Sequence, residues 1–260
     1  MNQTKVICFA NNKGGSGKTT TCSNIGYALS LLNQKVLLID GDMQMNLSLS
    51  FCEEEEVFAY AEGTLNLFEG IRTQGELSQK IVHTKYEGLD LIPSSTRMSG
   101  IEYELFSKRQ RELILKKGIA GIRKQGDYDY ILIDAPPTLG GWVTNILHAS
   151  DDLIIPVEAS PWGLFGLANM FEYLSEVQKT AVDLKLMGIA VTKVDTRKNY
   201  FKQTLETLEA LDEVKVFQNY IRVDSAIEWA QDNCKPVLAY KKSSRSAKEY
   251  MALAQEIRNQ

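Results

Sequence analysis

At 260 residues and 44 % hydrophobic composition, the chain suits one large α/β unit or two small ones and can build a substantial core. Its net charge of −4 excludes a generally basic nucleic-acid binder, so any DNA surface must be local. No apolar run approaches the roughly 18 residues of a membrane span, and the N-terminus leads into a strand without a signal peptide.

The first predicted element is a buried strand, Val6-Ile7-Cys8-Phe9-Ala10. A glycine-rich turn follows, Asn11-Asn12-Lys13-Gly14-Gly15-Ser16-Gly17-Lys18-Thr19-Thr20, and then a helix that begins near Lys18. Strand, glycine-rich turn and helix form the context of a phosphate-binding loop. Gly14, Gly15 and Gly17 let successive backbone N–H groups, including that of Ser16, converge on phosphate oxygens. The helix start adds its positive dipole end. Lys18 is placed to reach the β- and γ-phosphates, the Thr19 hydroxyl to hold Mg²⁺, and Thr20 to border the nucleotide.

The general pattern G-x-x-x-x-G-K-[ST] has glycine where this chain has Asn12, and a second lysine, Lys13, heads the loop. This resembles the deviant Walker A motif of the ParA/MinD family of dimeric ATPases. The resemblance implies that Lys13 reaches across a dimer interface to the partner's nucleotide. From the residues alone, Lys13 is a second cation beside a phosphate site.

Lys35-Val36-Leu37-Leu38-Ile39-Asp40 reads as a second buried strand and leads into Gly41-Asp42-Met43-Gln44-Met45-Asn46. Ligands lie beyond the carboxyl ends of parallel strands, which turns Asp40 and Asp42 towards the Lys18 loop. The segment is similar to the family's Asp-x-Asp-Pro-Gln-Gly-Asn, with Met43 and Met45 in place of Pro and Gly. The resemblance makes Asp42 the residue that orients the attacking water near the metal.

Glu53-Glu54-Glu55-Glu56 reads as a solvated helix start and Thr64 to Phe68 as the beginning of another helix. Leu89-Asp90-Leu91-Ile92 is the next strand, followed by Pro93-Ser94-Ser95, again as in the family. A long amphipathic helix is predicted from Ile101 through Arg123, with Leu105, Leu113, Ile114 and Ile119 inward and Lys108, Arg109, Arg111, Lys116 and Lys117 on its solvated side.

Tyr128-Asp129-Tyr130-Ile131-Leu132-Ile133-Asp134 followed by Ala135-Pro136-Pro137 is an apolar strand ending in a carboxylate, the Walker B arrangement in which Asp134 binds Mg²⁺. Thr138 to Trp142 then form a switch segment. Leu153 to Glu158 is a strand, and Ala159 to Leu167 borders the dimer face. His148 is a packing or surface residue. Leu186 to Val191 is a strand continued by Thr192-Lys193-Val194-Asp195. This tetrapeptide echoes the base-reading segment of GTPases and puts Thr192 and Asp195 near the base. Asp195-Thr196-Arg197-Lys198-Asn199 matches the family's Asp-x-Arg-x-Asn. Val214 to Phe217 reads as a strand, Ser225 to Asp232 as a helix, and a final helix starts at Ser246.

The four cysteines, Cys8, Cys22, Cys52 and Cys234, form no C-x-x-C pair and read as reduced thiols of a cytosolic chain. No repeat or linker interrupts residues 1–260, which read as a single unit: a doubly wound, mainly parallel sheet of about seven or eight strands with helices on both faces. The resemblance covers nearly the whole chain and implies a cytoplasmic, nucleoid-associated ATPase that uses ATP and Mg²⁺. It dimerises with ATP, binds DNA non-specifically and is stimulated by a centromere-binding ParB-type protein. No helix-turn-helix precedes the first strand, and the tail from Tyr250 to Arg258 lacks the basic amphipathic character of a MinD-like membrane helix. An iron–sulfur reductase would need paired cysteines. Residues 190–260 hold 12 Lys/Arg against 10 Asp/Glu, a net of +2, and the remainder 17 against 23, a net of −6. The DNA face is therefore expected among Arg197, Lys198, Lys202, Arg222, Lys241, Lys242, Arg245 and Lys248. Arg222 is also a nucleotide candidate, and it falls one position before the family's DNA-contacting arginine.

Overall fold

The computed structural model describes residues 4–181, 183–211 and 214–260, with the backbone alone at Asn199. Its strands are β1 (Lys5–Phe9), β2 (Val36–Asp40), β3 (Val82–His83), β4 (Leu89–Ile92), β5 (Tyr130–Asp134), β6 (Asp152–Glu158) and β7 (Lys185–Thr192). They form one seven-stranded sheet in the order β3-β4-β2-β5-β1-β6-β7, parallel except where β3 meets β4. The apolar runs of β1, β2 and β5 show no alternation because parallel strands are covered on both faces. Val6 and Cys8 of β1 enter one core, whereas Ile7 and Phe9 enter the other.

The helices are α1 (Lys18–Leu31), α2 (Asn46–Leu49), α3 (Glu54–Glu62), α4 (Leu67–Thr73), α5 (Ile101–Phe106), α6 (Ile114–Gln125), α7 (Gly141–Ala149), α8 (Pro161–Gln178), α9 (Asn199–Glu209), α10 (Ser225–Asp232), α11 (Val237–Tyr240) and α12 (Arg245–Arg258). Ile119, Ile146 and Met170, from α6, α7 and α8, fill the first core. Ile25 of α1 and Leu253 of α12 fill the second. A doubly wound sheet covered on both faces is thus what the chain forms. α3 begins as its acidic run predicts, with a reciprocal capping box between Glu53 and Glu56. His148 is buried in α7, where its ring nitrogens pair with the Thr144 carbonyl at 2.9 Å and the Thr180 hydroxyl at 3.1 Å.

Two expectations need correction, and one strand had no counterpart among them. The predicted helix from Ile101 through Arg123 is broken: α5 stops at Phe106, Gln110 takes a left-handed φ of 48°, and a 3₁₀ turn at Arg111–Leu113 precedes α6. The polar run Ser107 to Gln110 offers nothing to the core, and Lys108 Nζ donates to the carbonyls of Ile71 (2.8 Å) and Arg72 (2.6 Å) near the end of α4. Val214 to Phe217 is not a strand of the sheet. It touches β7 through one isolated bridge, Ile189 to Val216, and Phe217 then turns into the second core. The antiparallel β3 was not anticipated, because two residues carry no periodicity.

Close packing extends to the strand ends. A Cβ on Gly41 would stand 2.6 Å from the carbonyl oxygen of Asp134, a backbone atom that cannot rotate away. Gly41→Ala is expected to lower stability by about 1–3 kcal/mol, the usual cost of overpacking. A urea titration that leaves the midpoint unchanged would refute this close approach.

Candidate nucleotide site

The site is built at the carboxyl ends of β1, β2 and β5. In register, Phe9 lies beside Asp134 and Asp134 beside Asp40, so two strand-terminal carboxylates line up on one side of the start of the glycine-rich loop. The loop is pinned at its head, where Asn11 Nδ2 donates to the Pro156 carbonyl (2.8 Å) and Asn11 Oδ1 accepts from Lys13 N (3.0 Å). Gly15 (φ 74°) and Gly17 (φ 90°) adopt the left-handed conformation that glycine takes without strain. Gly17 then caps α1, whose first residue is Lys18. A Cβ on Gly14 would meet nothing within 4 Å, so the loop is open on that side.

Lys18 is buried at the loop's centre and its Nζ donates to the Lys13 carbonyl at 3.1 Å. Burial pulls the ammonium below its ordinary range, against the pull of Asp134 and Asp42. Asp134 is fully buried, and burial followed by the Asp40 carboxylate pushes its carboxyl well above the ordinary range. The Thr19 hydroxyl is close enough to lower it in part, yet neither Asp134 oxygen has a partner of normal hydrogen-bond geometry. The Ser16 hydroxyl is orphaned in the same way. Buried polar atoms are rarely left so, and these are oxygen donors beside a cradle of backbone N–H groups. Thr19 and Asp134 fit Mg²⁺, and the loop fits a polyphosphate.

Asp40 differs from Asp134. Its Oδ2 accepts from Ser48 N (2.8 Å) and Ser48 Oγ (2.6 Å), and its Oδ1 from Asp42 N (3.2 Å). Ser48 Oγ accepts in turn from Ser94 N at 3.1 Å. Asp42 lies beyond β2 with its Oδ1 accepting from Gln44 N at 3.1 Å, and it lines the cleft with Lys18 and Thr19. That cleft has a volume of about 780 Å³. Trp142, at the start of α7, donates Nε1 to the Gly41 carbonyl at 2.9 Å, which ties the predicted switch segment to the Asp42 loop.

Lys13 stands at the rim. Its Nζ contacts Glu158 Oε2 at 2.6 Å and Ser160 Oγ at 3.1 Å, at the entrance to α8. Trp162 and Phe165 of that helix are 73 % and 65 % exposed. The sequence signals no pairing between Lys13 and Glu158, because 145 positions separate them.

The expected base-side residues separate. Thr192, buried at the end of β7, supports the loop: its hydroxyl donates to the Ser16 carbonyl at 2.8 Å. Asp195 is not among the residues lining the cleft and forms an ion pair with Arg197 at 2.9 Å, which holds its carboxyl down at about 2. Arg222 does line the cleft, but it pairs with Glu249 of α12 through Nε, and its backbone N donates to the same carboxylate at 2.9 Å. Thr20 lines the cleft and accepts from Gln231 Nε2 at 2.8 Å.

The DNA candidates are dispersed over α9 to α12. Arg197 and Arg222 are engaged in ion pairs, and Arg245 Nη2 donates to the Val223 carbonyl at 2.5 Å. Lys198, Lys202, Lys241, Lys242 and Lys248 are exposed without a carboxylate partner among the described residues. The side chain of Asn199 lies outside the described residues.

A family model described as an AAA domain matches residues 4–188. The sporulation initiation inhibitor protein Soj of Bacillus subtilis is 34 % identical over 97 % of this chain and 98 % of its own. The chromosome partitioning protein ParA of Caulobacter vibrioides is 31 % identical over 98 % and 94 %. The chain belongs to the ParA/MinD/Soj family of deviant Walker A ATPases. Among solved structures, cobyrinic acid a,c-diamide synthase from Mycobacterium smegmatis, with a bound ATP analogue and magnesium, superposes with a TM-score of 0.85. It is 30 % identical, covering 98 % of this chain and 94 % of that one. Membership makes the chain a P-loop ATPase that uses ATP and Mg²⁺.

The orphaned carboxylate of this ATPase generates a test. Asp134→Asn keeps the volume and removes a carboxyl whose ionisation is disfavoured by burial and by Asp40, so the protein without ligand should gain stability, by about 1–3 kcal/mol. The added thermal stabilisation by Mg-ATP should shrink in the same variant. Calorimetric melting with and without Mg-ATP reads both; an unchanged Mg-ATP increment would remove Asp134 from the metal site.

Proposed function

We propose that this ATPase is a nucleotide-switched DNA-partition protein. Two copies would enclose two Mg-ATP, the ATP-bound dimer would bind DNA without sequence preference, and a centromere-binding protein of the ParB type would stimulate hydrolysis. The observation that carries this reading is Lys13. It is a second cation at the rim of a loop already served by Lys18, and it pairs at the entrance to α8, the helix that carries the exposed Trp162 and Phe165. Similarity to Soj and ParA over nearly the full length of each supports it.

Within the proposed site, the loop amides and Lys18 stabilise charge that develops on the transferred phosphoryl group. Thr19 and Asp134 hold the metal, which supplies further charge neutralisation when bound. Asp42 orients the attacking water, and Lys13 acts on the nucleotide of the other copy. A membrane-associated reading is less supported, because α12 buries Ala247, Tyr250, Leu253, Ala254 and Ile257 in the second core and keeps no free apolar face for lipid. No helix of the described residues is long and apolar enough to cross a membrane.

Lys13→Ala should bind Mg-ATP as a monomer yet neither dimerise nor hydrolyse it efficiently. Light scattering and phosphate release on Mg-ATP measure the two properties, and wild-type behaviour in both would end the two-copy mechanism. The DNA surface is tested separately, through the lysines left unpaired. Lys242→Glu combined with Lys248→Glu should weaken binding to all sequences alike and make the slope of log affinity against log salt shallower by about 2. An unaltered slope would move the DNA face away from the end of α11 and the start of α12.

A further inference from the structure

Lys193 lines the nucleotide cleft although neither the glycine-rich motif nor the strand-terminal carboxylates point to it. It follows Thr192, the last residue of β7, and takes a left-handed φ of 53°. A non-glycine residue holds that conformation only when its surroundings enforce it. Here they do. Thr192 O accepts from Ala159 N (3.1 Å), Val194 N donates to the Ile221 carbonyl (3.0 Å), and Val194 O accepts from Val223 N (2.9 Å).

The consequence is directional. The side chain is carried back over the glycine-rich loop, and Nζ comes within 3.8 Å of where a Cβ on Gly15 would stand. Lys193 lines the same cleft as Gly14, Gly17 and Lys18. The ammonium therefore hangs over a loop that already concentrates positive potential, from its N–H groups, the start of α1 and Lys18. No carboxylate lies within ion-pairing distance of it among the described residues, whereas Lys13 is paired to Glu158. A cation held by backbone strain where the field is already positive lacks an anion, and the loop is built to supply one.

We infer that Lys193 is a further nucleotide-binding residue, which contacts the diphosphate part of the bound nucleotide, on its α- and β-phosphate oxygens. The placement separates it from the γ-phosphate. Lys193 follows β7, on one side of β1 in the sheet, where Val194 bonds to Ile221 and Val223, whereas Asp42 and Gln44 follow β2 on the other side. The contact is one that ATP and ADP share. This inference rests on the phosphate-loop reading of the cleft and adds a third lysine to it.

Calorimetric titration of the full chain with Mg-ADP tests the assignment. Lys193→Met and Lys193→Gln should each weaken Mg-ADP about tenfold, the size of one partly exposed charge-assisted contact, and Lys193→Arg should restore most of the loss. The deficit should narrow as salt rises, because it comes from an exposed charge. Lys193→Gly should lose the same affinity with no fall in melting temperature, since glycine accepts the left-handed backbone freely. That separates the ammonium from the backbone kink. Wild-type affinity in Lys193→Met overturns the inference. Wild-type affinity in Lys193→Gln alone overturns the phosphate contact in favour of a neutral hydrogen bond, as to ribose. In parallel, a Lys18→Ala protein that binds Mg-ADP like wild type would overturn the phosphate-loop reading itself. Loss of binding there with retention in Lys193→Met would sink the Lys193 contact alone.

Discussion

Burying like charges side by side is the constraint from which the site's other features follow. Asp40 and Asp134 occupy adjacent, in-register ends of β2 and β5 in an apolar sheet, and both are fully buried. Two carboxylates so placed cannot both be left bare, because desolvation and mutual repulsion disfavour ionisation of each. The chain resolves this asymmetrically. Asp40 is satisfied by Ser48 and by the Asp42 backbone, although burial still raises its carboxyl to about 6. Asp134 is left without partners, facing Lys18. One carboxylate is consumed by structure and the other keeps its oxygens unpartnered, as the proposed role of holding the metal requires. The Asp40 network also runs through Ser48 to Ser94, fastening α2 to the segment after β4. It thereby holds the loop that carries Asp42, so the structural carboxylate positions the one proposed to orient water.

Much of this was legible because the signals are local. Val6 to Ala10, the glycines and Lys18 are contiguous, and an apolar strand ending in Asp announces Asp134 without knowledge of the fold. α10 runs from Ser225 to Asp232 as its pattern predicts. What escaped depends on contacts between distant segments. Nothing near Lys13 announces Glu158, nothing near Arg222 announces Glu249, and Asp195 turns away to Arg197 where a motif analogy put it at the base. Lys193 was visible as a residue type, but only its left-handed backbone reveals where the ammonium goes.

Met45 shows the same limit from the other side. It occupies the place of a glycine in the family's segment, and the reason for glycine is plain: φ there is 56°. The chain keeps the conformation with a methionine. The strain, of order 1–3 kcal/mol, is offset by burying the side chain in the second core with Leu47 and Phe51. Burial explains how the turn persists, since an unbranched thioether adapts to whatever gap the strained backbone presents.

The arrangement at Lys13 bears on how a two-copy mechanism could be gated. A lysine meant for another copy's nucleotide must first be released from its own chain. The Lys13 and Glu158 side chains are 23 % and 29 % exposed, so water screens their attraction and the pair contributes no more than about 1 kcal/mol. Triphosphate in an enclosed cleft offers a much higher density of negative charge than one half-solvated carboxylate. Release therefore needs no separate trigger: enclosing the nucleotide between two copies would itself favour the exchange. In the proposed mechanism, Glu158 at the end of β6 would hold the Lys13 ammonium before a second copy binds, and α8, which follows, carries the exposed Trp162 and Phe165 that such a copy would cover.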